Sequence, residues 1–255
     1  MSTSVPAVSV VIPVYNAEST LADTVASVIA QTFHNWELIL VDDASTDGSA
    51  AVAAQYAQGD ARIRFLQNER NLGVAETRNR AIRAARGSYI ALLDSDDLWN
   101  PEKLERQMAL ADATGAELIY CSYAIIDEAG KRCCDDFIVP KTTDREKMLV
   151  RSVISCSTAL IRRGCLLEHP FRSEYVHEDL ALWLELLGTG CRACGCPEVL
   201  ASYRVSSRSR SGNKRKSALG RWEIYRKCMG YPATKSAWLF TRYAVRALKK
   251  YRRRG

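Results

Sequence analysis

The chain has 255 residues, 47% of them apolar and 25% charged, a balance that excludes a disordered chain and leaves room for one large domain with an appendage. The net charge of +7 is uneven: residues 199–255 hold seventeen Lys or Arg against the single acid Glu223, a balance of +16 that leaves −9 for residues 1–198. The opening "MSTSVPAVSVVIPVYNAE" has no basic leader, and its apolar run is short and broken by Pro13, so neither a signal peptide nor a membrane span fits and a cytosolic chain is expected.

Apolar runs alternate with helical patterns. "AVSVVIPVY" (7–15), "WELILVDD" (36–43), "IRFLQN" (63–68), "SYIALLD" (88–94) and "AELIYCSY" (116–123) read as strands dense in Val, Ile, Leu or Tyr. Between them, 18–32, 47–58, 73–87 and 100–114 place apolar residues at three- and four-residue spacing. This alternation predicts an α/β fold, a mostly parallel sheet with helices on both faces. Thr46 or Asp47 is expected to cap the second helix and Asn100 the fourth, with Pro101 in its first turn and Gly87 ending the third. Beyond, "DEAGKRCCDD" (127–136) reads as a turn, 142–150 as a short helix and "ISCSTALIRR" (154–163) as a strand. Residues 177–190 then form an amphipathic helix and 191–205 a last strand.

The ligand of an open parallel sheet lies beyond the carboxyl ends of its strands. Tyr15, Asn16 and Glu18 follow the first strand, Asp42 and Asp43 the second, and Asp94, Asp96 and Asp97 the fourth. Three carboxylates within four positions repel one another unless a cation sits among them. Carboxylates on a ligand rim suit Mg²⁺ or Mn²⁺ bridging to substrate phosphates. Neither a G-x-x-x-x-G-K-[ST] nor a G-x-G-x-x-G turn is present, which argues against a P-loop enzyme and a dinucleotide dehydrogenase. The missing initial Gly-rich turn also disfavours a sugar nucleotidyltransferase.

"VSVVIPVYNAESTL", "VDDASTDGS", "NLGVAETRNRAIRAARGSYIALLDSDDLWNPEKLE" and "HEDLALWLELL", in that order, resemble the family 2 glycosyltransferases of the GT-A fold over residues 7–205. The resemblance implies a GT-A catalytic domain over 1–205, with 1–123 binding the nucleotide-sugar and 124–205 the acceptor, followed by a basic extension over 206–255. It implies that Asp43 accepts from the base edge, with Pro13, Tyr15 and Glu18 lining the nucleotide pocket. Asp94 would lean toward the ribose, with Ser95 beside the nucleotide, and Asp96 would ligate Mn²⁺ or Mg²⁺ on the donor diphosphate. Asp97 would assist or orient. Arg78 would face the nucleotide and balance these acids, Asp179 would be the catalytic base, and Glu178 would bind or position the acceptor. The implied activity is inverting, metal-dependent transfer from a nucleotide-sugar, UDP-linked, to a polyprenyl-diphosphate-linked saccharide of a bacterial surface polysaccharide.

Each element also has a structural reading. "VDDASTDG" suits a strand end with an Asx-turn, "DSDD" a solvated helix cap, and the acids of "HED" a helix N-terminus. Nine cysteines, an odd number, read as reduced thiols; "CRACGC" invites a zinc site, but Cys194 and Cys196 fall on one side of a strand, as core residues do. His169 and His177 read as surface or hydrogen-bonding residues. "YRVSSRSRSGNKRK" (203–216) suits a loop closing over a diphosphate through Arg204 and Lys214. Residues 236–255 read as a helix with Phe240, Tyr243, Ala247 and Tyr251 on one side and Arg242, Arg246, Lys249 and Lys250 elsewhere, either lying in an anionic membrane interface at the cytoplasmic face or packed on the catalytic domain. Two alternatives stay open: a basic nucleic-acid-binding protein, against which the acidic rim argues, and a non-catalytic nucleotide-sugar binder.

Overall fold

The computed structural model describes residues 5–205 and 214–252, with side chains up to 205 and from 217 to 245. Chain order begins β1 (Val8–Val14), α1 (Leu21–Ile29), β2 (Trp36–Asp42), α2 (Ser49–Gly59), β3 (Ile63–Gln67), α3 (Val74–Ala84) and β4 (Tyr89–Leu92). These elements build half of the sheet, with β3, β2, β1 and β4 adjacent in that order and all parallel. The second half follows with β5 (Leu98–Trp99), α4 (Lys103–Thr114), β6 (Leu118–Ile126), β7 (Arg132–Phe137), β8 (Thr142–Thr143), α5 (Arg145–Val150), β9 (Leu160–Arg162), α6 (Arg163–Glu168), α7 (Glu178–Gly188) and β10 (Ala193–Arg204). Among the described residues ten strands form one sheet, in which β9 lies antiparallel between β4 and β6, and β10 runs parallel to β6.

Every residue of β1 and β2 is buried, as it must be in strands covered on both faces. Val8, Val10, Ile12 and Val14 pack with α1 residues Leu21, Val25 and Val28 on one face; Val11, Ile39 and Ile90 pack with Ala81, Ile82 and Trp183 on the other. The two-residue period of the strands thus meets the three- and four-residue period of the helices. Cys196 is buried in the first of these layers and Cys194 packs against it, so the two do share a strand face.

Several local expectations are corrected. Gly87 does not end α3, which stops at Ala84 and passes into extended backbone at Ala85. It marks a close approach: a Cβ there would lie 2.6 Å from Ser9 N and 2.8 Å from Val8 C. Of the stretch 154–163 only Leu160–Arg162 is strand, and Cys156–Thr158 is a 3-10 turn. The turn near 127 leads directly into β7. The geometric N-cap of α2 is Gly48, although Asp47 Oδ1 still accepts from Ser49 N–H at 3.0 Å.

The C-terminal part comprises α8 (Lys214–Glu223), a π-helical turn (Ile224–Cys228) and α9 (Ala233–Arg252). Ile224, Tyr225 and Leu239 join the main core. Arg221 is buried and donates to Met148 O, Leu149 O and Ser152 Oγ, and Tyr225 OH donates to Leu149 O at 2.5 Å, so the hairpin is bolted to α5. Phe240 meets Trp222 edge-on at 6.1 Å and lies 6.1 Å from Tyr243. The expected apolar side of α9 therefore faces the protein, and Trp238, Arg242 and Val245 are exposed instead. The side chains of Arg246, Ala247, Lys249, Lys250 and Tyr251 lie outside the described residues.

Candidate active site

The chain steps outward from β1 through β2 to β3, then returns to place β4 on the other side of β1. A crevice opens where strand order reverses in this way. The carboxyl ends of β1, β2 and β4 bring Tyr15 to Glu18, Asp42 and Asp43, and Asp94 to Asp97 to one rim, as the sequence predicts. Two non-glycine residues there adopt left-handed backbone, Asn16 (φ 49°) and Ala44 (φ 58°), a conformation that must be held by its surroundings. Ser45 Oγ accepts from Asn16 N–H at 3.0 Å and Asn16 Oδ1 accepts from Thr46 N–H at 2.8 Å. Pro13 is buried within β1, while the Tyr15 ring is half exposed at the rim. Glu18 reaches the start of α2, where its Oε2 accepts from Gly48 N–H at 3.1 Å; the carboxylate packs so closely that any side chain at position 48 would strike it.

Asp43 is buried and serves the chain first. Oδ1 accepts from Asn68 Nδ2 (2.7 Å) and Leu72 N–H (2.8 Å), and Oδ2 from Gly73 N–H (2.9 Å). A carboxylate has about four lone-pair sites, and three here fix the loop that leads into α3. Gly73, at φ 83°, supplies the left-handed residue this loop needs.

Arg78 of α3 is fully buried. Its Nη2 donates to Asp94 Oδ1 at 2.5 Å and its Nη1 to Glu178 Oε1 at 3.0 Å, with the Phe171 ring centroid 5.2 Å from the guanidinium carbon. These two carboxylates hold its charge and raise its already high pKa against the opposing effect of burial. One guanidinium therefore joins the strand-end acids to the first turn of α7, 100 residues later in the chain. Asp179 is the next residue of that turn and accepts from Leu180 N–H at 2.7 Å. Burial, and the Glu178 carboxylate beside it, push the Asp179 pKa up from its ordinary 3.8, the direction a general base needs.

Asp97 orients the loop from beneath, and Arg204 takes a role that the sequence does not show. Asp97 is buried, its Oδ1 accepts from Arg204 N–H at 2.8 Å, and its Oδ2 is buried without a hydrogen-bond partner among the described residues. Burial together with Asp94 and Asp96 pushes its pKa well above 3.8. Arg204, expected in a closing loop, is the last residue of β10 and paired in the sheet. Its guanidinium donates to Asp96 O (2.8 Å), Glu128 O (2.8 Å) and Asp127 O (3.4 Å), so it braces the acidic loop against the turn before β7. Ser95 is likewise held through its main chain, its carbonyl accepting from Thr20 and Thr24 hydroxyls. Asp94 and Asp96 remain partly exposed at the surface of this braced loop. The Lys214 side chain lies outside the described residues. His169 bonds Glu185 at 2.9 Å, and His177 Nε2 bonds Ser217 O at 2.9 Å, hydrogen-bonding roles in both cases.

Residue patterns had not singled out Ser157 or Phe171. Ser157 Oγ accepts from Asp94 N–H at 3.1 Å and its carbonyl from Trp99 Nε1 at 2.7 Å. The polar "SCST" inside an otherwise apolar run was the available signal for a turn there.

The profile described as Glycosyl transferase family 2 matches residues 9–168. A Bacillus subtilis (strain 168) protein described as a putative teichuronic acid biosynthesis glycosyltransferase, TuaG, is 38% identical over 96% of this chain and 97% of its own.

The chain belongs to glycosyltransferase family 2.

Another relative, the Escherichia coli UDP-Glc:alpha-D-GlcNAc-diphosphoundecaprenol beta-1,3-glucosyltransferase WfgD, is 35% identical over 96% of this chain and 94% of its own. The Pyrobaculum calidifontis mannosyltransferase PcManGT, solved with GDP-Man and Mn²⁺, superposes with a TM-score of 0.72 at 18% identity over 95% of this chain and 74% of its own, which shows the shared GT-A fold. Among the described residues no three carboxylate, imidazole or thiol groups converge as a preformed metal cage. A family 2 glycosyltransferase does not need one, because Mg²⁺-type sites combine one or two carboxylates with substrate phosphates. The donor set fits such a cation. Arg78 is shared between Asp94 and Glu178, and Asp97, pushed up first by burial and then by Asp94 and Asp96, lies beneath them, so the carboxylates of this loop stand close enough to suit a cation.

Proposed function

We propose that this glycosyltransferase moves a sugar from a UDP-linked donor to a lipid-linked saccharide at the cytoplasmic face of a membrane, inverting the anomeric centre, in surface polysaccharide assembly. The observation that carries the reading is the Arg78 bridge between Asp94 and Glu178, which sets the donor-side acids and the helix bearing the base around one buried cation. The activity for which WfgD is named, with a UDP-Glc donor and a diphosphoundecaprenol-linked acceptor, supports the substrate classes.

On this reading Asp179 takes the proton of the acceptor hydroxyl as that oxygen attacks the anomeric carbon from the face opposite the diphosphate. Its raised pKa makes it a competent acceptor of that proton, and Glu178, tied to Arg78, fixes the turn on which it stands. Asp96, with Asp94 beside it, would hold Mn²⁺ or Mg²⁺, which supplies charge neutralisation of the departing diphosphate. Tyr15, Pro13 and Glu18 line the nucleotide side, and the remaining lone pair of Asp43 Oδ2 is left for a base N–H. Because the leaving group is a phosphate, one proton-accepting carboxylate suffices; hydrolysis of a glycosidic bond requires a pair.

The test is a thermal-shift screen of UDP-, GDP- and dTDP-sugars with and without Mn²⁺. Stabilisation by a UDP-sugar that needs Mn²⁺ and disappears in Asp96→Ala is expected, since a ligand that binds only the folded chain raises its stability. Asp179→Asn should keep that shift and lose transfer. No response to any donor overturns the proposal.

A further inference from the structure

We infer that the outward face of the α8–α9 hairpin is a docking surface for an anionic lipid bilayer, placed to present a lipid-linked acceptor to Asp179; this rests on the function proposed above. The hairpin turns Gly220, Arg221, Ile224 and Tyr225, and Ser236, Leu239 and Tyr243, toward the protein. On the outside it leaves Leu219 70%, Trp238 56% and Val245 45% exposed, and Trp222, whose ring packs on Phe240, keeps 36% exposure at the margin. Scattered exposed apolar residues need no explanation. Two tryptophans with a leucine and a valine, on two packed helices that together carry one acid, are a different composition.

The charged partners of the rings here are cationic. The Arg242 guanidinium carbon lies 4.6 Å from the centre of the exposed Trp238 ring, and Lys235 Nζ lies 3.6 Å from that of Tyr231. The one acid of the basic stretch, Glu223, is neutralised by Lys227 at 2.6 Å. Aromatic rings paired with cations suit the headgroup layer, where the ring enters the acyl boundary and the charge meets lipid phosphates. Among the described residues no helix is long and apolar enough to cross a membrane, so the chemistry is that of a helix pair lying on the surface. A nucleic acid would use the same cations, but would gain nothing from exposed Leu219 and Val245; the apolar component selects the lipid.

Position ties this face to the chemistry. Ser217 O of α8 accepts from His177, two residues before Asp179, and a Cβ at Gly220 would lie 3.0 Å from Val176 Cβ. Val176 is itself exposed. The proposed contact surface therefore begins on the back of the segment that delivers the base. An acceptor whose lipid tail stays in the bilayer would reach Asp179 along this edge without leaving the membrane.

The experiment is co-sedimentation of the full chain with vesicles of phosphatidylcholine, with and without phosphatidylglycerol, for the wild type, Arg242→Gln and the double substitution Leu219→Gln/Trp238→Gln. Transfer to a water-soluble, short-chain saccharide diphosphate is measured alongside. Binding that requires phosphatidylglycerol is expected. It should weaken at least about tenfold in the double variant, from lost apolar burial, and about fivefold in Arg242→Gln, while transfer to the soluble acceptor and thermal unfolding stay at wild-type values. Absence of wild-type binding to anionic vesicles, or a double variant that sediments like the wild type, overturns the docking surface. A variant series that changes binding to duplex DNA but not to vesicles overturns it in favour of nucleic acid. Vesicle binding without transfer from any donor would instead sink the proposed function and leave the surface standing.

Discussion

Arg78→Met tests whether the site is organised around one buried cation. The substitution keeps the length and apolar stem of the side chain but removes the charge between Asp94 Oδ1 at 2.5 Å and Glu178 Oε1 at 3.0 Å. Asp94 is 30% exposed at its side chain and can turn to water, whereas Glu178, at 9%, has little water to take over from the guanidinium. Removing one partner of a buried pair destabilises by about 3–5 kcal/mol, mainly through the charge left behind. At roughly 2–4 °C per kcal/mol for a chain of this size, the midpoint of thermal unfolding should fall by roughly 6–20 °C. The pairwise part is isolated by urea unfolding of Arg78→Met, Glu178→Gln and the double variant. Because neutralising Glu178 removes the orphaned charge, the double variant should be less destabilised than the sum by about 1–3 kcal/mol. Released from Arg78, the acidic loop and the α7 turn lose their common anchor, and kcat/KM should fall about a hundredfold, the scale of a misplacement near 1 Å. Additivity of the two substitutions within about 0.5 kcal/mol would refute the bridge as the organising contact.

Three other outcomes follow from particular contacts. Asp179 has a raised pKa in the folded chain: below the ordinary value near 3.8 both states are protonated, and folding stability is then lost as pH rises through the folded pKa. Asp179→Asn should accordingly be more stable than the wild type at neutral pH in urea titrations, with the gap closing below about pH 3.8; a constant gap at all pH values would contradict this. Lys103 is buried, hydrogen-bonded to Gln107 at 2.7 Å, and desolvated so that its amine is pushed down to about 8. Between there and its ordinary value the unfolded chain holds the extra proton, so wild-type stability relative to Lys103→Met should climb with pH, by up to about 3 kcal/mol; a difference independent of pH would show that the amine is not desolvated in solution. Gly87→Ala drives a methyl into the main chain of β1 and should lower the urea midpoint by the equivalent of about 1–3 kcal/mol, while Gly164→Ala, with open space around its Cβ, serves as the tolerated control.

The parallel half of the sheet was legible because strands buried on both faces leave continuous apolar runs, and the helices between them leave a period near 3.6 residues. The strand-end acids were legible for a related reason: polar residues directly after a buried strand can only be at its rim. What escaped were elements too short to carry a period. β5 and β8 are two residues each and exist because an already formed sheet offers them hydrogen bonds, whereas β9, expected over 154–163, keeps only three residues of that stretch. The antiparallel insertion of β9 between β4 and β6 is thus a property of the assembled fold, and no local pattern in "STALIRR" specifies it.

The least legible part of the site is the one that steadies it. Asp97 meets Arg204 across 107 positions, and Arg204 reaches Asp96 O across 108, contacts that exist only because β10 crosses to the far side of β6 and ends beside the acidic loop. Sequence adjacency made Asp97 look like a third rim carboxylate and Arg204 like the cation for a diphosphate. Burial gives both a holding role: the enclosed Asp97 carboxylate accepts a main-chain N–H, in keeping with the expectation that it orients the loop, and Arg204 acts from the end of a strand, with Nε and Nη1 on three carbonyls, and not from a closing loop. The crowded charge of the "DSDD" stretch is therefore divided by depth: Asp97 holds the loop to the sheet from beneath, Asp94 is fixed from the side by Arg78, and Asp96 stays at the surface on main chain that Arg204 has already braced. On the proposed reading, a braced loop of this kind suits a weakly caged, substrate-bridged cation, since the protein would contribute few ligands and would have to hold those few in place before the donor arrives.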